Sequence, residues 1–346
     1  MFYIHQTTCI SPQQTFLNPD LHQLRESVEN KLKVLEPEYA GIPPGILRRM
    51  GKAVRTGVGA ALPLVQQVPV NGIIIGTANG GMEDCIKFLN QIIQYEEGML
   101  TPGNFVQSTP NAIAAQLGLL ENNKGYNSTH VHRGHAFENA LLDAVMLSKE
   151  YPGENFLLGA VDEISTYNYN IDFLGGWYKK EPFSSKNLFL SDSPGSIAGE
   201  GAAMFIINDK KESAQAYLQD IGTLHTESAK AIKNRLHHFI NKNLPQGEKV
   251  DLLISGENGD KRFQKFYTAC EALIEDDIPV VRFKHMCGEF ATASAIAVWL
   301  GCQVLLGQTL PEHMLKSNSI SKNVKTILIY NNYKGVQHSF ILLSKP

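Results

Sequence analysis

The sequence predicts an α/β protein with parallel strand pairings, on three observations. Short aliphatic runs closed by glycine recur along the chain, helix-forming stretches lie between them, and the alternation repeats with short links. The runs are Gly72–Gly76 (GIIIG), Asn155–Ala160 (NFLLGA), Ala202–Ile207 (AAMFII), Val250–Ser255 (VDLLIS), Cys302–Gly307 (CQVLLG) and Lys325–Tyr330 (KTILIY). Each lacks polar alternation, which suits a strand covered on both faces. Helices are expected over Met82–Tyr95, Asn111–Leu120, Ala136–Glu150, Lys261–Glu275 and Phe290–Trp299. Asn111, following Pro110, is placed to cap its helix.

The chain also resembles itself. Asn71–Ile93 and Asp251–Leu273 each read as a buried strand, a turn rich in Gly and Asn, and a helix. Asn155–Glu163 and Cys302–Glu312 then pair as the second strand of each half. With 346 residues, more than one ordinary core holds, a single duplicated domain is expected, its halves spanning about 1–207 and 208–346.

Composition narrows the function. The chain is 43% hydrophobic and 19% charged, the balance of a globular protein. Its 31 Lys and Arg against 34 Asp and Glu give a net charge of −3 with no basic block, so no nucleic-acid partner is expected. Five scattered cysteines without a CxxC read as reduced thiols. No signal peptide and no 18-residue apolar run is read, so a cytoplasmic protein without a membrane span is expected.

One stretch is the most informative: Gly125–Glu163, GYNSTHVHRGHAFENALLDAVMLSKEYPGENFLLGAVDE. It reads as a strand, a tight turn at Arg133-Gly134, a helix and a buried strand. The first turn of such a helix offers free N–H groups and the positive dipole end, where a cysteine is activated. Here that position carries glycine.

In this stretch and others the chain resembles the β-ketoacyl synthases of the thiolase-like superfamily. Thr129 falls on the first Thr of the family's T-V-x-T-A-C-S-S strand, Gly134 on its nucleophilic Cys, and Gly159-Ala160-Val161 on its closing glycine pair. Gly199-Glu200-Gly201-Ala202 matches the G-E-G-A segment, Pro110-Asn111 the P-N, and Arg48-Arg49-Met50 the R-R-M. The likeness runs from about Arg48 to Leu342 and implies a thiolase-like duplicated α/β/α/β/α five-layered sandwich. The family's H-G-T-G-T becomes Gly256-Glu257-Asn258-Gly259-Asp260, and its K-S-x-x-G-H becomes Lys284-His285-Met286-Cys287-Gly288-Glu289. Its G-F-G-G-T-N loop degrades to Asn332-Tyr333-Lys334-Gly335-Val336-Gln337.

The resemblance therefore places Gly134, Gly256 and Glu289 where the family has Cys, His and His, and keeps only Lys284. Condensation needs a thiolate to carry the acyl group and imidazoles to stabilise the enolate. Glycine supplies neither, and an ionised Glu289 repels a developing enolate. A catalytically inactive subunit is expected, of the chain-length-factor kind known from aryl polyene and flexirubin clusters. It would pair with an active ketosynthase as a heterodimer, or form a homodimer, and meet an acyl carrier protein bearing a phosphopantetheine-linked acyl chain. Phe137 and Met286 are the expected walls of the acyl pocket. The alternative is a divergent acyltransferase working through His135, Lys284 and Glu289.

Other features receive plainer readings. His130, His132 and His135 spell H-x-H-x-x-H, which invites a metal; the family accounts for this strand without an ion, so no metal and no cofactor are expected. Cys287, near Lys284, is read as a buried structural thiol rather than a substitute nucleophile. Glu200, between glycines, is read as structural, and Asp162 and Glu163 as caps of the loop that follows them. Gly57-Val58-Gly59 lacks the preceding strand of a dinucleotide site, and no G-x-S-x-G elbow occurs.

Overall fold

The computed structural model describes residues 1–245, 248–275, 277–317, 319–320 and 323–346. In chain order the strands are β1 (Phe2–Ile10), β2 (Lys31–Leu32), β3 (Gly72–Gly76), β4 (Tyr126–His130), β5 (Phe156–Asp162), β6 (Ala198–Gly199) and β7 (Gly201–Asn208). They continue as β8 (Ala216–His225), β9 (Leu252–Ser255), β10 (Val280–Arg282), β11 (Leu315–Ser317), β12 (Thr326–Tyr333) and β13 (Gln337–Ser344). The helices are α1 (Pro44–Leu47), α2 (Lys52–Val65), α3 (Met82–Gln94), α4 (Pro102–Gln107), α5 (Ala112–Leu120), α6 (Ala136–Glu150), α7 (Thr166–Leu174), α8 (Ala229–Asn243), α9 (Gln264–Glu271), α10 (Lys284–Cys287) and α11 (Ser294–Leu305).

Among the described residues, eleven strands join in the order β11-β10-β9-β12-β13-β8-β1-β7-β5-β3-β4, while β2 and β6 pair separately. The two ends of the large sheet repeat one plan. In one, β4-β3-β5-β7-β1 runs parallel, parallel, antiparallel, antiparallel. In the other, β10-β9-β12-β13-β8 does the same. The seam is three residue pairs of β1 and β8: Phe2 with Leu218, Tyr3 with Tyr217, Ile4 with Ala216.

Strand periodicity sorts the side chains into layers. Ile73 and Ile75 of β3 face α2 and α5, burying Val58, Ala61, Ile113 and Leu117. Ile74 faces the other way, into a central layer where α6 and α11 lie between the two halves of the large sheet. On the far side α8 and α9 cover the second half with Ile232, Leu236, Phe239 and Phe266. This is the five-layered α/β/α/β/α arrangement.

Three expectations are corrected. Cys302–Gly307 is not a strand: it is the end of α11, a helix buried on nearly every side. An apolar run that is buried all round has the same pattern in a helix as in a strand. The pairing of Asn155–Glu163 with Cys302–Glu312 falls with it, because the counterpart of β5 is β12. Asn111 sits at the cap position of α5, yet its Oδ1 accepts from the Thr129 hydroxyl at 2.9 Å instead of from the helix.

Candidate functional site

Four chain segments converge at the carboxyl ends of β9 and β12 and at the start of α6. One is the loop Gly256–Asp260 after β9; the second is α10 with Gly288 and Glu289. The third is the hairpin Tyr333–Gln337 between β12 and β13, and the fourth is the turn His132–His135 after β4. Carboxyl ends of parallel strands are the ordinary place for a site in layered α/β proteins.

Gly134 lies buried in a single turn of 3₁₀ helix, preceded by Arg133 in the left-handed region at φ +49°. Its N–H donates to Gln337 Oε1 at 2.9 Å. A Cβ placed on Gly134 would stand 2.3 Å from the Cβ of Tyr333. The Tyr333 side chain therefore occupies the volume that any side chain at position 134 would need. Gly256 is in the same condition, since its Cβ would meet Asn331 Oδ1 at 2.4 Å. At both glycines neighbouring side chains fill the space beside the backbone, and no hollow is left.

Glu289 is buried and held by two donor groups. Lys284 Nζ lies 3.0 and 2.8 Å from its two oxygens, and Asn258 Nδ2 donates to Oε2 at 2.6 Å. Burial raises the Glu289 pKa, and the Lys284 charge opposes that rise. The network runs on: Asn332 Nδ2 donates to the Tyr267 hydroxyl, which donates to the Gly256 carbonyl, each at 2.8 Å. Gly288, at φ +79°, turns the chain so that Glu289 N–H reaches the Ile197 carbonyl and Gly199 N–H reaches the Glu289 carbonyl. A Cβ on Gly199 would stand 2.0 Å from the Cys287 carbonyl, which is why glycine stands in G-E-G. Glu200 accepts from Val34 N–H and Ile164 N–H and pairs with Lys52, as a structural residue.

The remaining expected residues are dispersed. His135 is buried and neutral, its pKa lowered by burial, with Nε2 3.2 Å from the His338 carbonyl. No hydrogen bond or ion pair joins it to Lys284 or Glu289 among the described residues. His130 pairs with Asp143 at 2.8 Å and His132 accepts from Asn139, so the three histidines have separate partners. Phe137 packs on Phe205 and Met286 lies in the same buried cluster; neither lines a cleft described below. Cys287 is buried and its thiol pKa is pushed far up by burial, which leaves it protonated and unreactive. Asp162 caps the loop after β3 rather than the one after its own strand. It accepts from Thr77, Ala78 and Asn79, and its other oxygen accepts from Thr292 of the second half.

Two features escaped the sequence reading. The first is the Tyr333 plug, whose one signal was the altered hairpin loop. The second is a cleft of about 510 Å³ lined by Lys31, Lys33, Arg48, Arg49, Lys52 and Lys87 among others. Its cations come from separate segments, so no basic block announced it. Lys33, Arg48 and Arg49 have no ion-pair partner among the described residues, while Lys52 and Lys87 face Glu200 and Glu83. Another cleft, about 490 Å³, opens beside Tyr333 between His132, Arg133, His225 and Lys334.

Comparison with known proteins places this arrangement. Residues 22–173 match the family model of the β-ketoacyl synthase N-terminal domain. The whole chain superposes on the ishigamide ketosynthase/chain length factor with TM-score 0.78 and 14% identity, covering 100% of this chain and 99% of that one. This chain has the fold of the ketosynthases, and its residues 22–173 carry the likeness to the β-ketoacyl synthase N-terminal domain. A ketosynthase in complex with its chain length factor from Xenorhabdus doucetiae matches the ketosynthase-like chain at TM-score 0.76 and 13% identity, over 100% of this chain and 98% of that one. A type II polyketide ketosynthase, solved with its acyl-carrier protein, matches at 0.78 and 13%, over 100% and 99%. No curated protein sequence matches. Among the described residues no helix of the ketosynthase-like chain is long and apolar enough to cross a membrane, and no cluster of three His, Cys, Asp or Glu is placed to hold a metal.

Proposed function

We propose that this ketosynthase-like chain performs no condensation of its own and serves as the chain-length-factor-like partner of an active ketosynthase. The setting is cytoplasmic fatty-acid or polyketide-type synthesis, of the aryl polyene kind. The observation that carries the reading is at Gly134: no nucleophile is present, and Tyr333 fills the place where its side chain would stand. Glu289, at the second histidine position, is consumed by Lys284 and Asn258 and has no lone donor to offer an enolate. In this reading the chain is one domain whose halves meet near residues 207 and 208.

Two surfaces support partners. Among the described residues strand β4 pairs only with β3, so its outer edge is open, and Tyr126, Val131, Leu142 and Met146 stand exposed beside it. An open edge flanked by apolar side chains is a pairing surface, which suits a ketosynthase subunit or a second copy. The cleft holding Lys33, Arg48 and Arg49 suits the phosphodiester and acidic surface of an acyl carrier protein.

The test is intact-mass spectrometry after incubation with acyl- and malonyl-carrier protein, alone and with the ketosynthase encoded beside it. No adduct alone, but altered product length in the pair, is the expected result. An acyl adduct or released carbon dioxide from the lone chain overturns it.

A further inference from the structure

A different constellation stands one loop away from Glu289. Lys179 is 2% exposed and has no ion pair among the described residues. Its Nζ contacts the Ser193 carbonyl at 2.9 Å, the Gly259 carbonyl at 3.0 Å, the Ser193 hydroxyl at 3.1 Å and, closely, the Ser191 hydroxyl. The two hydroxyls lie 3.2 Å apart. Ser191 is half-buried and Ser193 is exposed, so the chain of contacts runs from a buried amine to solvent.

The donor count gives this cluster its chemistry. Carbonyl oxygens only accept, so the Ser193 and Gly259 carbonyls take two of the Lys179 hydrogens. In the ammonium form the third hydrogen points to Ser191. In the amine form a lone pair takes its place, and the Ser191 hydroxyl donates to nitrogen. Ser191 is then free to accept from Ser193. We propose that Lys179, Ser191 and Ser193 form a base–hydroxyl relay that makes Ser193 an acceptor for activated acyl groups, esters or thioesters.

The step balances. Ser193 Oγ bonds to the acyl carbon and the bond to the leaving thiolate or alkoxide breaks. The Ser193 proton passes to Ser191, the Ser191 proton to Lys179, and Lys179 returns a proton to the leaving group. The product is an acyl ester on Ser193. Burial lowers the Lys179 pKa to about 8, where the amine form is populated. The charges acting on it are Asp260, which opposes the shift, and Arg262, which adds to it; Asp260 is itself clamped by Arg262, and nearby Asp192 pairs with Lys261. This assignment does not depend on the ketosynthase-partner reading.

The experiment treats the full chain with p-nitrophenyl acetate and, separately, with S-acetyl-N-acetylcysteamine, and maps acetylation by peptide mass spectrometry between pH 6.5 and about 9.5, to bracket the expected midpoint. One acetyl on Ser193 is expected, with a rate rising through pH about 8. Ser193→Ala abolishes it, and Ser191→Ala slows it about 100-fold. Lys179→Arg keeps charge and donors but cannot lose its proton in this range, and is expected to be equally slow with no rise in rate. If that variant does not fold, the Ser191→Ala comparison decides alone. Acetyl groups only on surface lysines, or equal labelling of Ser193 in Ser191→Ala, overturn the proposal.

Discussion

Two buried lysines of this chain are solved in opposite ways. Lys284 sits against the Glu289 carboxylate, with both its oxygens within 3.0 Å. Lys179, nearly as buried, meets two carbonyls and two hydroxyls and no carboxylate. The first arrangement locks a charge in place; the second leaves the charge half-supported and pulls the pKa down toward 8. A carboxylate partner makes a buried lysine structural, whereas neutral oxygens leave it able to exchange a proton. Glu138 on α6 is the acidic mirror of Lys179: fully buried, with both carboxyl oxygens lacking a well-formed hydrogen bond, its pKa raised to about 7 chiefly by burial.

The comparison breaks most sharply at Glu289. Glu289→Gln leaves the Lys284 charge buried without its counter-ion, and a loss of about 3–5 kcal/mol in urea unfolding is expected. Lys284→Met with Glu289→Leu, removing both charges, should recover most of that loss. If the single variant unfolds like the parent, the pair is not what holds this region.

Next in size is the pH dependence set by Glu138. Its folded pKa, about 7, lies above the ordinary 4.5, so the folded state binds more protons across that window and stability falls as pH rises through it. The penalty is complete above pH about 7 and amounts to roughly 3 kcal/mol. Glu138→Gln should remove this slope and be more stable than the parent at pH 8. Lys179 has the opposite sign: its lowered pKa makes stability rise with pH from about 8 toward 10.5. Lys179→Met should flatten that rise in the same titration.

A smaller effect belongs to Gly134. Gly134→Ala must push Tyr333 aside, at a cost of about 1–3 kcal/mol. Tyr333→Ala in the same chain should relieve it, giving a favourable coupling in a double-mutant cycle. Gly134→Cys alone should react slowly with iodoacetamide, and faster once Tyr333 is shortened.

The sequence carried the layered α/β class because GIIIG, NFLLGA and VDLLIS are short, apolar without alternation and bounded by turn residues, as strands covered on both faces are. It misread CQVLLG for the same reason, since α11 is buried on all sides. It missed β1, whose FYIHQTTCI mixes polar and apolar residues because its neighbours β7 and β8 shelter it edge-on. Gly134, Gly256, Lys284 and Glu289 were expected from the resemblance of the glycine spacing around them to the ketosynthase motifs. Tyr333 over Gly134 and Asn331 over Gly256 were not, since both are contacts between residues far apart in the chain. The cationic cleft was hidden in the same manner, assembled from Lys31, Arg48 and Lys87 on different elements.

The seam at β1 has a consequence for how the molecule comes apart. Tyr3 is paired with Asn208 on one side and Tyr217 on the other, contacts that span more than two hundred residues of chain. Such long-range pairing slows folding, because the loop must close before the contact rewards it. It also ties the fate of one half to the other, so pulling this strand away would open both halves of the sheet at once.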